Sequence, residues 1–448
     1  MSRSAARMGR PFKATGVTGH PDRRAREAPR TSRGSPVESG LSRAGPACAR
    51  GRRGRSLRMS ERVDIMTPAF RADPYTPYAA MRREAPVCQV DPGGMWAVSR
   101  YADVATVLRS PERFSSQGFR AAWQPAWVGH NPLASSILAM DGPDHARLRG
   151  LVSRAFGAPA IARIEQRARD LCERLAGRLD GEVDFIAAAA APLPAFVISE
   201  LLGLDHALEP HFKRWMDDLL SVTPEPASAE HAARVRATIA ELDRYMADVI
   251  AARRRSPSDD LVSELARAGE LLGDREIIDL LVSILGGGLE TTTHFLGSSM
   301  LLLAERPAEL ERLRASPQLI PRFIEEMMRY DGPTQSVPRL TTSDVALAGV
   351  TIPAGSLVLA LVGSANRDEV RFTDPDRFDL HRGQPSLTFG HGAHFCLGAA
   401  LARMEAKVAL EVLVPRIGEV TRAPGEIPYN RTLTVRGPVS LPLRFRPA

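Results

Sequence analysis

The chain has 448 residues, 44% of them hydrophobic and 25% charged, enough to bury a large core. Its net charge of +7 sits in one place: residues 1–58 hold 15 Lys or Arg against 3 Asp or Glu, and +7 less that +12 leaves −5 for residues 59–448, which removes the main support for a nucleic-acid-binding body. Four scattered cysteines with no CxxC pair argue against a disulfide framework or a Cys-rich zinc module and suit a reducing cytoplasm.

Residues 1–58 are rich in Arg, Gly, Ser, Pro and Ala and cannot bury a core, so they are expected to be disordered. They carry no apolar h-region and are not a secretory signal. Two readings remain: an Arg-rich targeting or interaction arm, and the plainer one in which Met59 is the true start. From Met59 the text changes. PVCQVDPGGMWAVSR (86–100) predicts two short strands around an Asp-Pro-Gly-Gly turn, and YADVATVLRS (101–110) a helix. Ala121 to Met140 has no Asp, Glu, Lys or Arg but holds Trp123, Trp127, Leu133, Ile137 and Leu138, as an apolar lid or a loop packed on the body would. DGPDHARLRGLVSRAF (141–156) reads as a capped helix with His145 and Arg149 on one face at i,i+4. Helical pattern dominates from 144 to about 330.

Within that run, LLVSILGGGLETTTHFLGSSMLLLAE (280–305) is apolar on nearly all faces, which predicts a helix through the middle of the core. Glu290 and three glycines interrupt it, and neither uncharged half approaches the ~20 residues needed to span a bilayer. Each glycine costs a helix ~1 kcal/mol against Ala. Three together require a reason, either a locally opened turn or a close crossing with another helix. IEEMMRY (324–330) offers an ion pair, Glu326 with Arg329 or Glu325 with Arg329, worth only ~0.2–0.5 kcal/mol on a surface. Short strands are expected from Arg339 to Ala365, with turns at Gly349 and Pro353-Ala354-Gly355, and again from about Gly418. The whole reads as one mainly helical domain, residues 59–448, with a small β portion.

The stretch LTFGHGAHFCLGAALARME (387–405) surrounds Cys396 with glycines and histidines at the mouth of a helix whose Leu401, Met404, Val408 and Leu410 fall at helical spacing. Three readings compete for the thiol. It could be an apolar filler. It could bind zinc with His391 and His394. Or it could be the lone thiolate ligand of a haem iron, held on a tight loop with amide N–H groups aimed at the sulfur.

The register Phe389, Gly390, Gly392, His394, Cys396, Gly398 resembles the cysteine-ligand loop of cytochromes P-450. The resemblance runs from about Met59 to the C-terminus. It implies that family's mainly α fold with a long central helix over haem b, Cys396 as the axial ligand of the iron, and Phe389, Gly390 and Gly398 around the cofactor. GGLETT (287–292) resembles the family's oxygen-binding stretch, so Thr291 would hold dioxygen and Glu290 would pass protons through water. Glu326 and Arg329 match its structural pair, with Arg377 of DPDRFDL completing the network. His145, Arg149, Arg339 and His394 match its haem-propionate contacts. The lid would lie over the haem, and Leu289, Thr334, Val337 and Leu433 would line a pocket for a hydrophobic molecule such as a terpenoid, steroid, fatty acid or polyketide.

The implied activity is a monooxygenase of secondary metabolism, hydroxylating or epoxidising its substrate. A peroxygenase of the same fold and a non-catalytic haem-thiolate sensor are the alternatives. The chain shows neither a Rossmann glycine fingerprint nor a cysteine cluster for iron–sulfur. Electrons are therefore expected from a separate ferredoxin and ferredoxin reductase, with Arg403 and Lys407 as docking cations or ordinary surface residues. A cytoplasmic monomer with no membrane span and no nucleic-acid partner completes the expectation.

Overall fold

Asp274–Glu305, a helix of 32 residues, is the element around which the others are placed. In this computed structural model, which describes residues 62–117, 120, 124–223, 225–268 and 272–448, it runs ~48 Å. Its Leu- and Ile-rich turns are buried on almost every side. Glu276 accepts from the Gly273 N–H at its start (3.2 Å), and Pro307 opens the next helix just past its end. Around it pack the helices Pro192–Leu202, Ala229–Arg255 and Ala399–Leu413, with Ala158–Ala176 laid along the last of these. No helix among the described residues is long and apolar enough to cross a membrane.

The larger sheet orders its strands Val63–Asp64, Val87–Asp91, Met95–Val98, Leu357–Ala360, Val337–Thr341, Phe114–Ser115 among the described residues. The expected first hairpin is present, with Val87 opposite Val98 and Val90 opposite Met95. Gly349 also turns as expected, between Val345–Leu347 and Val350–Ile352. The C-terminal strands Ile417–Arg422 and Pro442–Pro447 pair, and a third strand, Gly181–Asp184, joins them from inside the helix-rich run. That third strand is absent from the sequence reading.

The helix expected from Asp141 spans Gly142–Val152 and tightens to a 3₁₀ turn at Ser153–Phe156. Asp141 occupies the N-cap position, but its side chain caps nothing. The segment expected as a lid or a packed loop is tied to the body where it is described: Trp127 Nε1 donates to the Thr223 carbonyl, Arg236 to the Trp127 carbonyl, and His130 Nε2 lies 2.8 Å from Asp279. Leu133 and Ile137 are buried and Leu138 is exposed. Residues 1–58 and Trp123 lie outside the described residues.

Candidate active site

The Cys396 loop is shaped by its own backbone. The Cys396 N–H donates to the Phe389 carbonyl and the Gly390 N–H to the Leu387 carbonyl, each at 2.8 Å. Gly390 and Gly392 have φ of 75° and 76°, where a side chain is strained. A Cβ on Gly392 would also come within 3.1 Å of the Leu108 carbonyl. The loop is thus pressed onto the end of the Tyr101–Arg109 helix. Helix Ala399–Leu413 follows, with Leu401, Met404, Val408 and Leu410 buried. Burial pushes the Cys396 thiol up, against the Gly398 N–H, Arg149 and Arg403, which favour the thiolate. A cation bound at sulfur is what would tip that balance. Zinc is not that cation on this geometry: among the described residues no three His, Cys, Asp or Glu converge on a metal position.

Beside the loop lies a cluster of nitrogen donors. The His145 and His394 rings are 4.1 Å apart, tilted by 39°. Arg149 donates to the Phe395 carbonyl. His394 Nε2 is 3.2 Å from Ser116 Oγ and 3.3 Å from Asp141 Oδ1. Asp141 also accepts from Ser115 Oγ (2.6 Å) and the Ser116 N–H (2.8 Å). Burial would raise Asp141, but these hydrogen bonds hold it below the usual carboxylate range.

Two members have unmet demands. Arg339 is only 6% exposed and donates to the Pro338 carbonyl at 2.8 Å, yet no ion pair joins it among the described residues. Burial draws it down to about 10. His145 Nε2 is buried with no hydrogen-bond partner, and burial, then His394, Arg149 and Arg339, bring the imidazole down to about 4. Buried polar groups are almost always satisfied and buried charges paired, and an anion placed here would pair Arg339 and give His145 Nε2 a partner. The propionates of a haem fit this cluster, and the sulfur of Cys396 fits its iron.

Between its two ends, the central helix opens to solvent at one turn. Gly287 is exposed and Gly286, Gly288, Glu290, Thr291 and Thr293 are half-buried, between the buried stretches 277–285 and 294–304. The turn is open to solvent only, not unwound: the helix is regular α, and Thr291 Oγ1 donates to the Gly287 carbonyl at 2.9 Å. The glycines divide the labour. A Cβ on Gly286 would sit 2.8 Å from Met216 Sδ and one on Gly288 2.9 Å from Ile198 Cδ1, so both allow close packing, whereas Gly287 faces open space. Glu290 Oε1 accepts from Asn430 Nδ2 (3.0 Å), and His294 Nε2 lies 3.5 Å away. Burial would raise Glu290, but His294 and Asn430 bring it below its ordinary value.

Glu326 and Arg329 form a buried bidentate pair, both bonds 2.8 Å, not a surface one. Arg329 also donates to the carbonyls of Asn366, Pro375 and Arg377. The second arginine on Glu326 is Arg382, at 3.3 Å, and not Arg377, whose side chain is exposed and whose carbonyl alone enters the network. Glu325 instead pairs with Arg403 (2.5 Å), and Lys407 pairs with Glu165 (3.2 Å). The two expected docking cations therefore already have partners.

Thr334, Val337 and Leu433 come together, because the Gln335 N–H and Ser336 Oγ donate to the carbonyls of Thr434 and Leu433. Leu289 is buried on the central helix one residue before Glu290, which Asn430 ties to the same C-terminal segment. The sequence reading missed Asp141, Ser116, Arg382, Asn430 and His294. Only the spacing of His294, one helical turn after Glu290, was visible beforehand.

A sequence profile of the family described as Cytochrome P-450 matches residues 84–416. The chain is 38% identical over 398 residues to cytochrome P-450 107B1 of Saccharopolyspora erythraea, covering 84% of this chain and 96% of that one. It is 39% identical over 348 residues to the erythromycin C-12 hydroxylase of the same organism, covering 76% and 86%. The structure of cytochrome P-450 CYP109Q5 from Chondromyces apiculatus superposes with a TM-score of 0.79 at 38% identity, covering 86% of this chain and 98% of that one. The chain belongs to the cytochrome P-450 family and is an oxidoreductase of that family's kind, a haem b-binding haem-thiolate monooxygenase.

Proposed function

We propose that residues 59–448 form one catalytic domain in which Cys396 ligates the haem iron, Phe389, Gly390 and Gly398 shape the loop around it, and His145, Arg149, Arg339 and His394 hold the propionates. The observation that carries this reading is a buried cluster beside the Cys396 loop in which Arg339 has no ion-pair partner among the described residues and His145 Nε2 has no hydrogen-bond partner. Bound haem supplies dioxygen reduction and oxygen insertion, with thiolate ligation favouring O–O cleavage. Each turnover joins one substrate molecule, O₂, two electrons and two protons, and yields oxygenated product and water.

The protein's share is to position, to exclude water and to move those protons. Glu290, held ionised by its neighbours, accepts a proton from the buried side and releases it at the open turn. Thr291 Oγ1 donates a hydrogen bond to the Gly287 carbonyl, so its oxygen is free to accept from water, and letting go of Gly287 frees the donor for the oxygen site. Glu326, Arg329 and Arg382 fix the backbone that leads into the Cys396 loop.

The substrate is a bulky hydrophobic secondary metabolite, set against a wall of Leu289, Val337, Leu433 and Thr334. Relatives named for erythromycin, mycinamicin IV and vitamin D(3) favour macrocyclic or polycyclic compounds. Electrons come from a ferredoxin and its reductase, and docking must use cations other than Arg403 and Lys407 or exchange their internal carboxylates. The enzyme works as a cytoplasmic monomer, a compartment consistent with the thiols Cys172 and Cys396.

Titrating a panel of macrolides, steroids and fatty acids into the ferric protein tests the substrate class. A shift of the haem band toward high spin with macrocycles or polycycles, followed by one ¹⁸O from ¹⁸O₂ in the product, is expected. A shift with fatty acids alone would replace this substrate class.

A further inference from the structure

We propose that His294 is a positioning residue that feeds protons to Glu290. This rests on the reading of Glu290 as the proton-passing acid. His294 lies one helical turn beyond Glu290 on the central helix and is only 5% exposed. Its Nε2 is 3.5 Å from Glu290 Oε1, and neither ring nitrogen makes a hydrogen bond. A buried imidazole serving only as packing would bond its nitrogens to the protein. This one is held by shape instead: a Cβ on Gly437 would fall 2.3 Å from the ring carbon, so only glycine there leaves the ring its place. The gap to Glu290 is too long for a well-formed hydrogen bond and too short for a water between, and a small side-chain rotation closes it.

The acid itself is aimed. Asn430 Nδ2 pins Glu290 Oε1, and Asn430 is fixed in turn by Arg71, whose Nε and Nη2 donate to its carbonyl and side-chain oxygens at 3.1 and 3.0 Å. Amide and guanidinium groups give hydrogen bonds without relaying protons. Imidazole does both, accepting at one nitrogen while donating at the other. In the step, the Nε2–H bond breaks and an O–H bond forms on Glu290, while the other ring nitrogen takes a proton from solvent hydronium, leaving water; the ring returns to its Nε2–H form by proton exchange with solvent, and no electrons move. Glu290 then passes its proton to water at the open turn beside Gly287 and Thr291. The charged and titratable groups facing the pair are Arg71, with Tyr78 and Arg436 behind it, and Lys213.

The test uses the haem-loaded full chain with a surrogate ferredoxin system and testosterone, a steroid of the panel above, as probe. Three variants are compared: His294→Gln, Glu290→Gln and the double change. Expected is a fall in NADH oxidation of roughly ten- to a hundredfold for His294→Gln. The solvent deuterium isotope effect changes with it, while Tm and the ferric spectrum stay as in wild type. The double change is expected to add nothing to Glu290→Gln alone. Independently of turnover, ¹⁵N-histidine NMR of the ferrous carbonyl form should show His294 ring-nitrogen signals that move in Glu290→Gln. A slow Glu290→Gln beside a wild-type His294→Gln, or His294 signals blind to Glu290→Gln, would overturn the role of His294 and leave that of Glu290. Wild-type rates in both variants would overturn both. Loss of rate together with Tm at an unchanged isotope effect would make His294 structural and end the proposal.

Discussion

Arg382 and Arg377 show how close two readings of one residue type can lie. Both sit in DPDRFDLHR, five positions apart, and a motif match selects the first. The chain, which turns through Asp374 at φ 48° just before both, sends the Arg377 carbonyl and the Arg382 guanidinium inward. Removing one partner of a buried ion pair costs about 3–5 kcal/mol, whereas surface changes cost within about 0.5 kcal/mol. Arg382→Ala should therefore lower stability by a large part of that range, and Arg377→Ala hardly at all, by urea unfolding. Equal losses would return Arg377 to the network. Asp141 hid in the same way: an acid just before a helix reads as a cap, and only three-dimensional proximity reveals that it serves His394. Cys396 was legible because its neighbours are glycines at fixed spacing, and two of those spacings are demanded locally by positive φ.

At the scale of elements, the central helix was legible from its apolar run, yet the task of its glycines was not. Gly287→Ala meets nothing, so it should gain up to ~1 kcal/mol of helix stability. Gly288→Ala must displace the stiff Ile198 side chain and should cost about 1–3 kcal/mol. Thermal unfolding of the two variants decides it, and equal behaviour would contradict the packing assignment.

The helix after Cys396 carries a second consequence. Glu405 is fully buried with Oε2 unbonded, and burial lifts its carboxyl from 4.5 to about 8. The folded state therefore holds a proton that the unfolded state releases above 4.5. That contribution is fully present below 4.5 and is lost as pH rises through about 8. Stability of the wild type should fall across this window, and Glu405→Gln should flatten the fall. A profile unaltered by the change would show that Glu405 is not its source. The strand Gly181–Asp184 escaped the sequence because four residues pairing with Pro442–Pro447, far along the chain, leave no local pattern.

For the whole molecule, fold class was readable from periodicity and from one loop, while the site's polar wiring was not, since it joins residues hundreds of positions apart. Arg71 to Asn430 and Asp141 to His394 are examples. The propionate cluster ties stability to the cofactor. A ligand bound by the folded state alone stabilises by about 1.4 kcal/mol per tenfold excess over its Kd. Haem loading should raise Tm, and Arg339→Ala or His145→Ala should shrink that rise while leaving the Tm of the haem-free protein within a few degrees. An undiminished rise in both would place the propionates elsewhere.

The most direct measurement is the absorption spectrum of the haem-loaded protein in its ferrous carbonyl form, beside that of Cys396→Ser. The wild type should give the long-wavelength band of thiolate-ligated haem, and Cys396→Ser should lose it. A wild-type band at the position of histidine-ligated haem proteins, or one that survives Cys396→Ser, would contradict the account.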